Sequence, residues 1–245
     1  MTPNVSKPSP IAGVLFLSIL GALMAVTSLS TDIYLPAMPE MAKELQGDAE
    51  LTVTGFLIGF AVAQLIWGPI SDQIGRRKPM FIGMVLFTIG SLGCALSTSM
   101  EQIVFWRVFQ AFGACTAPML ARAMVRDLFS RTRAAQMLST LMIIMAIAPI
   151  GGPLLGGQMI TFTTWHSIFI LLAVIGGFLF LSIFLLPETL NTDKRTKASI
   201  SSAFVNYFRL LSHKTFMRYT LCVTFYYVSA YAFITGSPNV YTRDH

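Results

Sequence analysis

Gly68-Pro69-Ile70-Ser71-Asp72-Gln73-Ile74-Gly75-Arg76-Arg77-Lys78 sets an acid, two glycines and three consecutive bases between two long apolar stretches. Gly75 permits a sharp reversal of the chain. Asp72 can accept hydrogen bonds from a helix N-terminus or an arginine, while Arg76, Arg77 and Lys78 hold the turn in water. Physically the stretch is a tight hinge with a latch. An ordinary basic loop accounts for the three bases but not for the order of Gly68, Asp72, Gly75 and Arg-Arg-Lys.

On both sides of this turn the apolar residues gather into windows of about 20 residues, enough at ~1.5 Å per residue to cross a hydrocarbon core of ~30 Å. Seven windows are predicted, at 11–33, 51–70, 79–97, 102–122, 137–160, 165–187 and 216–236. The 54% hydrophobic and 11% charged content, with a mean hydropathy of +0.67, place the chain in a membrane. Backbone polar groups in lipid must be satisfied within a helix or a closed barrel, and these windows are too long and continuous for barrel strands. The predicted class is therefore an all-α, polytopic membrane protein. The first window reads as a span and not a signal peptide: Met1–Pro10 carries only Lys7, the apolar stretch is long, and no small-residue cleavage site precedes Asp32–Pro39.

The net charge of +6 is explained by where the bases fall. Arg76, Arg77 and Lys78 follow the second window, and Arg122, Arg126, Arg131 and Arg133 follow the fourth. Lys194, Arg195, Lys197, Arg209, Lys214 and Arg218 lie between or beside the sixth and seventh. The alternate loops are poor in bases: residues 34–50 hold Lys43 against Glu40, Glu44, Asp48 and Glu50, the next holds Glu101, and 160–165 hold no charge. Basic loops face the cytoplasm, which predicts a cytoplasmic amino terminus and removes the argument for a nucleic-acid partner. Between Thr189 and Thr215, Phe204, Tyr207, Phe208 and Leu211 recur at helical spacing beside Arg209 and Lys214. That segment reads as an interfacial helix or as a flexible linker.

Arg107 sits about one turn inside the fourth window. A charge there is costly, so it either faces a protein interior with a polar partner or snorkels to the nearby interface. Gln110, three residues on, shares its face. In Ala148-Pro149-Ile150-Gly151-Gly152-Pro153-Leu154-Leu155-Gly156-Gly157 the prolines interrupt the hydrogen-bond ladder and the glycines strip one side, giving a bendable, closely packing helix. Gly152 and Gly156 form a small-xxx-small pair. Asp32, the acid of the first window, reads either as a group that binds a proton or a cationic drug, or as an outer-rim acid beside the Pro36 helix stop.

Together these runs resemble the major facilitator superfamily, which implies a six-helix half-bundle plus a seventh transmembrane helix. Gly68–Lys78 resembles its signature loop, with Gln73 where an arginine is common, and implies that Gly68, Asp72, Gly75, Arg76 and Arg77 gate the cytoplasmic side as two six-helix halves rock. Arg107–Ala114 resembles the proton-coupling motif of its exporters, with Ala111 where glycine is common, and assigns coupling to Arg107, Gln110 and Asp32. Residues 148–157 resemble the antiporter signature, which favours export and implies that Pro149, Gly152, Pro153, Gly156 and Gly157 pack the fifth span against proton leakage. Asp32-Ile33-Tyr34-Leu35-Pro36, with Arg122–Phe129 and Ser237-Pro238, is similar to the bicyclomycin and chloramphenicol resistance exporters of bacterial inner membranes. The likeness implies small hydrophobic drugs exchanged for protons within the bilayer, the proton gradient as energy source, and no cofactor. Tyr34, Gln64 and Met145 are the candidate cavity-lining residues.

The expected organisation is a six-helix half at 1–188, a cytoplasmic linker at 189–215 and the first helix of an incomplete second half at 216–245. Because the family's substrate site lies between halves, little or no transport is expected without the carboxyl-terminal half. The runner-up is a non-transporting remnant, and uptake of a metabolite is the alternative within the family. Cys94, Cys115 and Cys222 fall inside windows as packing residues. No Lys lies in the seventh window for a retinal Schiff base, and His166, His213 and His245 have neither metal spacing nor a nucleophile partner, so no enzyme chemistry is expected.

Overall fold

A computed structural model of the chain describes residues 10–196 and 200–241. Lys7, Lys197 and the polar ending with Arg243 and His245 lie outside the described residues. The described residues form helices and turns, with no strand among them. The chain divides into two compact units, Met1–Thr196 and Lys197–His245.

The first unit holds six candidate membrane spans. Helix α1 (Pro10–Asp32) passes through a tight turn at Leu35–Ala37 into the short α2 (Met38–Leu45). It is followed by α3 (Glu50–Ile74), α4 (Arg77–Ala95), α5 (Met100–Ala114), α6 (Thr116–Leu128), α7 (Arg131–Phe162) and α8 (Trp165–Ser182). α5 and α6 together form the fourth span, Met100–Leu128.

Local chemistry sets several of these boundaries. Ser99 caps α5 by accepting the Gln102 N–H, while the Gln102 side chain returns to accept the Thr98 N–H at 3.0 Å, a reciprocal arrangement close to a capping box. The break between α5 and α6 follows from Pro118, which has no N–H to offer the Ala114 carbonyl four residues back. The Thr27 hydroxyl on α1 donates to that carbonyl instead, at 3.0 Å.

One expected boundary moves. Arg122 and Arg126, read as loop residues, belong to α6, and Arg131 and Arg133 open α7, leaving only Phe129–Ser130 as the connection. Helical hydrogen bonding does not stop at the edge of the hydrocarbon. Arg122 Nε donates to the Pro118 carbonyl at 2.8 Å and Arg126 Nε to the Arg122 carbonyl at 3.2 Å, so bases stabilise the carbonyl-rich end of the helix.

α4 packs between α5 and α8, α3 lies on α5, and α1 packs on α7 with further contacts to α6 and α8. Leu20, Leu23, Met24, Phe87, Leu120 and Phe169 are among the fully buried side chains of the shared core. α7 buries only Ala134, Leu141, Gly152 and Gly156, and exposes Ile143, Ile147, Ile150 and Leu154 as one stripe.

The second unit comprises α9 (Ile200–Leu211) and α10 (Lys214–Tyr241). α10 covers the seventh window and runs on through Ser237-Pro238, which was expected to lie beyond it. Among the described residues the six candidate spans all lie in the first unit.

Candidate functional site

The first candidate site is a polar node inside the bundle. α5 presents Arg107 and Gln110 on one face, both completely buried, so Arg107 does not snorkel to the interface. Its Nη1 donates to the Ser30 carbonyl at 2.9 Å and to Gln110 Oε1 at 2.6 Å. Gln110 Nε2 in turn donates to Ser91 Oγ on α4 at 2.7 Å. The guanidinium lies over the Tyr34 and Phe56 rings, each 4.4 Å from the centroid, a cation–π arrangement strengthened where water is excluded. Arg107 Nε and Nη2 are buried with no hydrogen-bond partner among the described residues. An unmet charged donor is costly in such a place.

Asp32 ends α1, half-buried and within electrostatic reach of Arg107 but not in direct ion pair with it. A Cβ at Gly152 would sit 3.3 Å from the Asp32 Cβ, and a Cβ at Gly156 would collide with the Ile33 carbonyl. The α7 motif thus meets α1 where α1 delivers its acid. Gly157 faces open space, Pro149 is exposed and Pro153 half-buried, so the close approach belongs to Gly152 and Gly156 alone. Tyr34 is fully enclosed, its hydroxyl paired with Thr52 Oγ1 at 3.1 Å. Gln64 and Met145 are half-buried.

The second candidate site is the charged turn at the other end of the spans. Gly75 adopts φ 100°, a conformation that glycine tolerates and side chains resist. A Cβ there would also strike the Glu188 carboxylate. Arg76 donates through Nη1 to Asp72 Oδ1 at 2.6 Å and to Ser71 Oγ at 2.9 Å, and through Nε to Asp127 Oδ2 at 3.0 Å. Burial works against the charge of Arg76, but Asp127 and Asp72 outweigh it and raise the guanidinium pKa above its ordinary value. Arg77 Nη2 donates to the Phe184 carbonyl at 2.9 Å. Beside Asp72 and Arg76 opens a notch of about 340 Å³, lined also by Gly68, Arg126 and Asp127.

Sequence reasoning missed Asp127, Glu188, Ser91 and Phe56. The signal for the two acids was the excess of base around Asp72. Phe56 and Ser91 carried none, because each is an ordinary residue of an apolar window until its neighbours are known.

The chain matches the family model described as Major Facilitator Superfamily over residues 20–243. It is 42% identical over 229 residues to the Bacillus subtilis (strain 168) protein named uncharacterized MFS-type transporter YdgK, covering 91% of this chain and 57% of that protein. It is 29% identical over 231 residues to the bicyclomycin resistance protein homolog of Haemophilus influenzae, covering 93% and 58%. The crystal structure of the human organic anion transporter MFSD10 (TETRAN) matches with a TM-score of 0.58 at 23% identity, covering 79% of this chain and 51% of that one, which shows a common fold. The chain spans little more than half the length of the curated relatives it matches.

Proposed function

The chain belongs to the Major Facilitator Superfamily, and from that premise we propose that it forms the proton-coupling half of an exporter of small hydrophobic drugs. It acts by alternating access together with a second six-helix half, in a bacterial inner membrane, with its amino terminus in the cytoplasm. The observation that carries this reading is the buried Arg107, held between two aromatic rings with two donors unmet. Asp32 with its proton leaves Arg107 to Gln110 and Ser30. Asp32 without it attracts the guanidinium, and the difference is a force that proton binding can switch. Gly152 and Gly156 keep α7 against α1, so that the acid is reached from one side of the membrane at a time. Asp72, Gly75, Arg76 and Arg77, joined by Asp127 and Glu188, latch the cytoplasmic end during one half of the cycle. Tyr34 supports Arg107, while Gln64 and Met145 are assigned to the drug pathway. The proton gradient is the energy source, and no cofactor takes part.

A bicyclomycin resistance homolog among the relatives supports the drug class. The length of those relatives supports the need for a second half, since repeat-built transporters bind substrate between their repeats. The stripe Ile143, Ile147, Ile150 and Leu154 on α7 is the apolar face that such a half, or lipid, would cover.

The test is gradient-dependent efflux of a chloramphenicol-like drug from cells co-expressing this chain with the second half of a relative, beside Arg107→Ala at equal abundance. Efflux that disappears in the variant and on collapsing the gradient is expected. Efflux unchanged in Arg107→Ala would overturn the coupling assignment.

A further inference from the structure

Within the second unit, helix α9 has an apolar face that α10 leaves exposed. Phe204, Phe208 and Leu211 recur at helical spacing on one side, with Arg209 and Asn206 on the other. Phe208 is 74% exposed, Val205 67% and Leu211 54%. A short helix in water does not keep two exposed phenylalanines, a valine and a leucine without an occupant. The charge around it is one-sided. From Thr189 to Arg218 the bases are Lys194, Arg195, Lys197, Arg209, Lys214 and Arg218, against the single acid Asp193.

Connectivity narrows the choice of occupant. The sixth span ends at Leu185 and α9 begins at Ile200. The intervening stretch, at no more than ~3.5 Å per residue, holds the helix within about 50 Å of the bilayer edge at full extension and far closer in practice. The surface always within reach is therefore lipid. Phenylalanine and tyrosine beside arginine and lysine suit the boundary between acyl chains and headgroups, and the excess of base suits the anionic lipids of a cytoplasmic leaflet.

We propose that α9 lies in the headgroup layer of the cytoplasmic leaflet, with Phe204, Phe208 and Leu211 toward the acyl chains and Arg209, Lys214 and Arg218 on the phosphates of anionic lipids. This rests on the reading that the sixth span ends on the cytoplasmic side. The surface then serves as an anchor sensitive to lipid composition, fixing the segment that leads out of the six-helix unit.

The experiment uses the full chain in bilayers of phosphatidylcholine with or without phosphatidylglycerol. In a Cys222→Ser background, spin labels are placed singly at Phe204→Cys, Asn206→Cys, Phe208→Cys and Leu211→Cys. Collisions with oxygen and with a water-soluble nickel complex are then measured. The expected result is high oxygen and low nickel contact at 204, 208 and 211, the reverse at 206, and a lipid-immersed population that falls about fivefold for each of Lys214→Gln and Arg218→Gln. Omitting phosphatidylglycerol should weaken the pattern similarly. Nickel access at all four positions would overturn the proposal, as would low access to both probes in every lipid, which would mean a protein occupant such as a second copy. Labelling of Lys78→Cys and Thr163→Cys by an impermeant maleimide in cells tests sidedness separately. Reaction of Lys78→Cys from outside would overturn the topology, whatever the collision pattern shows.

Discussion

The Glu188 carboxylate accepts the main-chain N–H of Arg76 at 2.8 Å, although 112 positions separate them in the chain. It also accepts from Arg77 at 3.1 Å and Leu190 at 3.1 Å. One acid after the sixth span thus closes the turn between the second and third.

This clasp has a pH dependence. Burial pushes the Glu188 carboxyl up, but the N–H groups of Arg76, Leu190 and Arg77 and the charge of Arg195 outweigh it and hold its pKa below the ordinary 4.5. A carboxyl lowered by folding contributes stability that is fully present above 4.5 and lost as pH falls through the lower folded value. Thermal unfolding in detergent between pH 7 and pH 3 should show this loss in the parent. In Glu188→Gln the corresponding slope should be absent. The effect should stay below about 1 kcal/mol, because the group is exposed and screened.

Arg76 and Asp127 should couple more strongly than a surface pair, since their side chains are only 11% and 20% exposed. A double-mutant cycle with Arg76→Gln and Asp127→Asn, read by unfolding, should return about 1 kcal/mol. A coupling near zero would mean that the contact adds nothing to the fold.

Gly156→Ala should destabilise by about 1–3 kcal/mol, because the added methyl has only the Ile33 carbonyl to enter. Gly157→Ala, a single methyl group into open space, should remain within about 0.5 kcal/mol of the parent. Equal melting temperatures for the two variants would show that α1 and α7 do not approach as closely as described.

Tyr34→Phe keeps the ring beneath Arg107 and removes only the bond to Thr52, whereas Tyr34→Leu removes the ring. The leucine variant should lose about 1–2 kcal/mol more than the phenylalanine variant, the range of a desolvated cation–π contact. Melting temperatures of both variants check this.

The six spans of the first unit were legible because hydropathy reports the portion of a helix that crosses lipid. For the same reason it stopped short at residue 122: the turns of α6 that carry Arg122 and Arg126 are charged and look like a loop. The seventh window likewise falls within one continuous helix, α10. Arg107 and Gln110 were legible as a pair since spacing alone puts them on one face. Their surroundings were not, because the neighbours of Arg107 come from α1, α3 and the turn after α1, and sequence spacing carries no information about lateral contact. Tyr34 shows this most clearly: chosen as a cavity residue, it is enclosed beneath the guanidinium.

The carbonyl of Ala114, left without its helical donor by Pro118 and served by Thr27, has a bearing on biogenesis. A bare carbonyl in lipid costs several kcal/mol, so the fourth span leaves the translocon as an unfinished helix. Ribosomal synthesis makes Thr27 before Ala114, so the donor exists before the carbonyl that it serves. A circular permutant that made α1 last would expose that carbonyl to lipid through most of its insertion, and the order of translation is in this sense part of the fold.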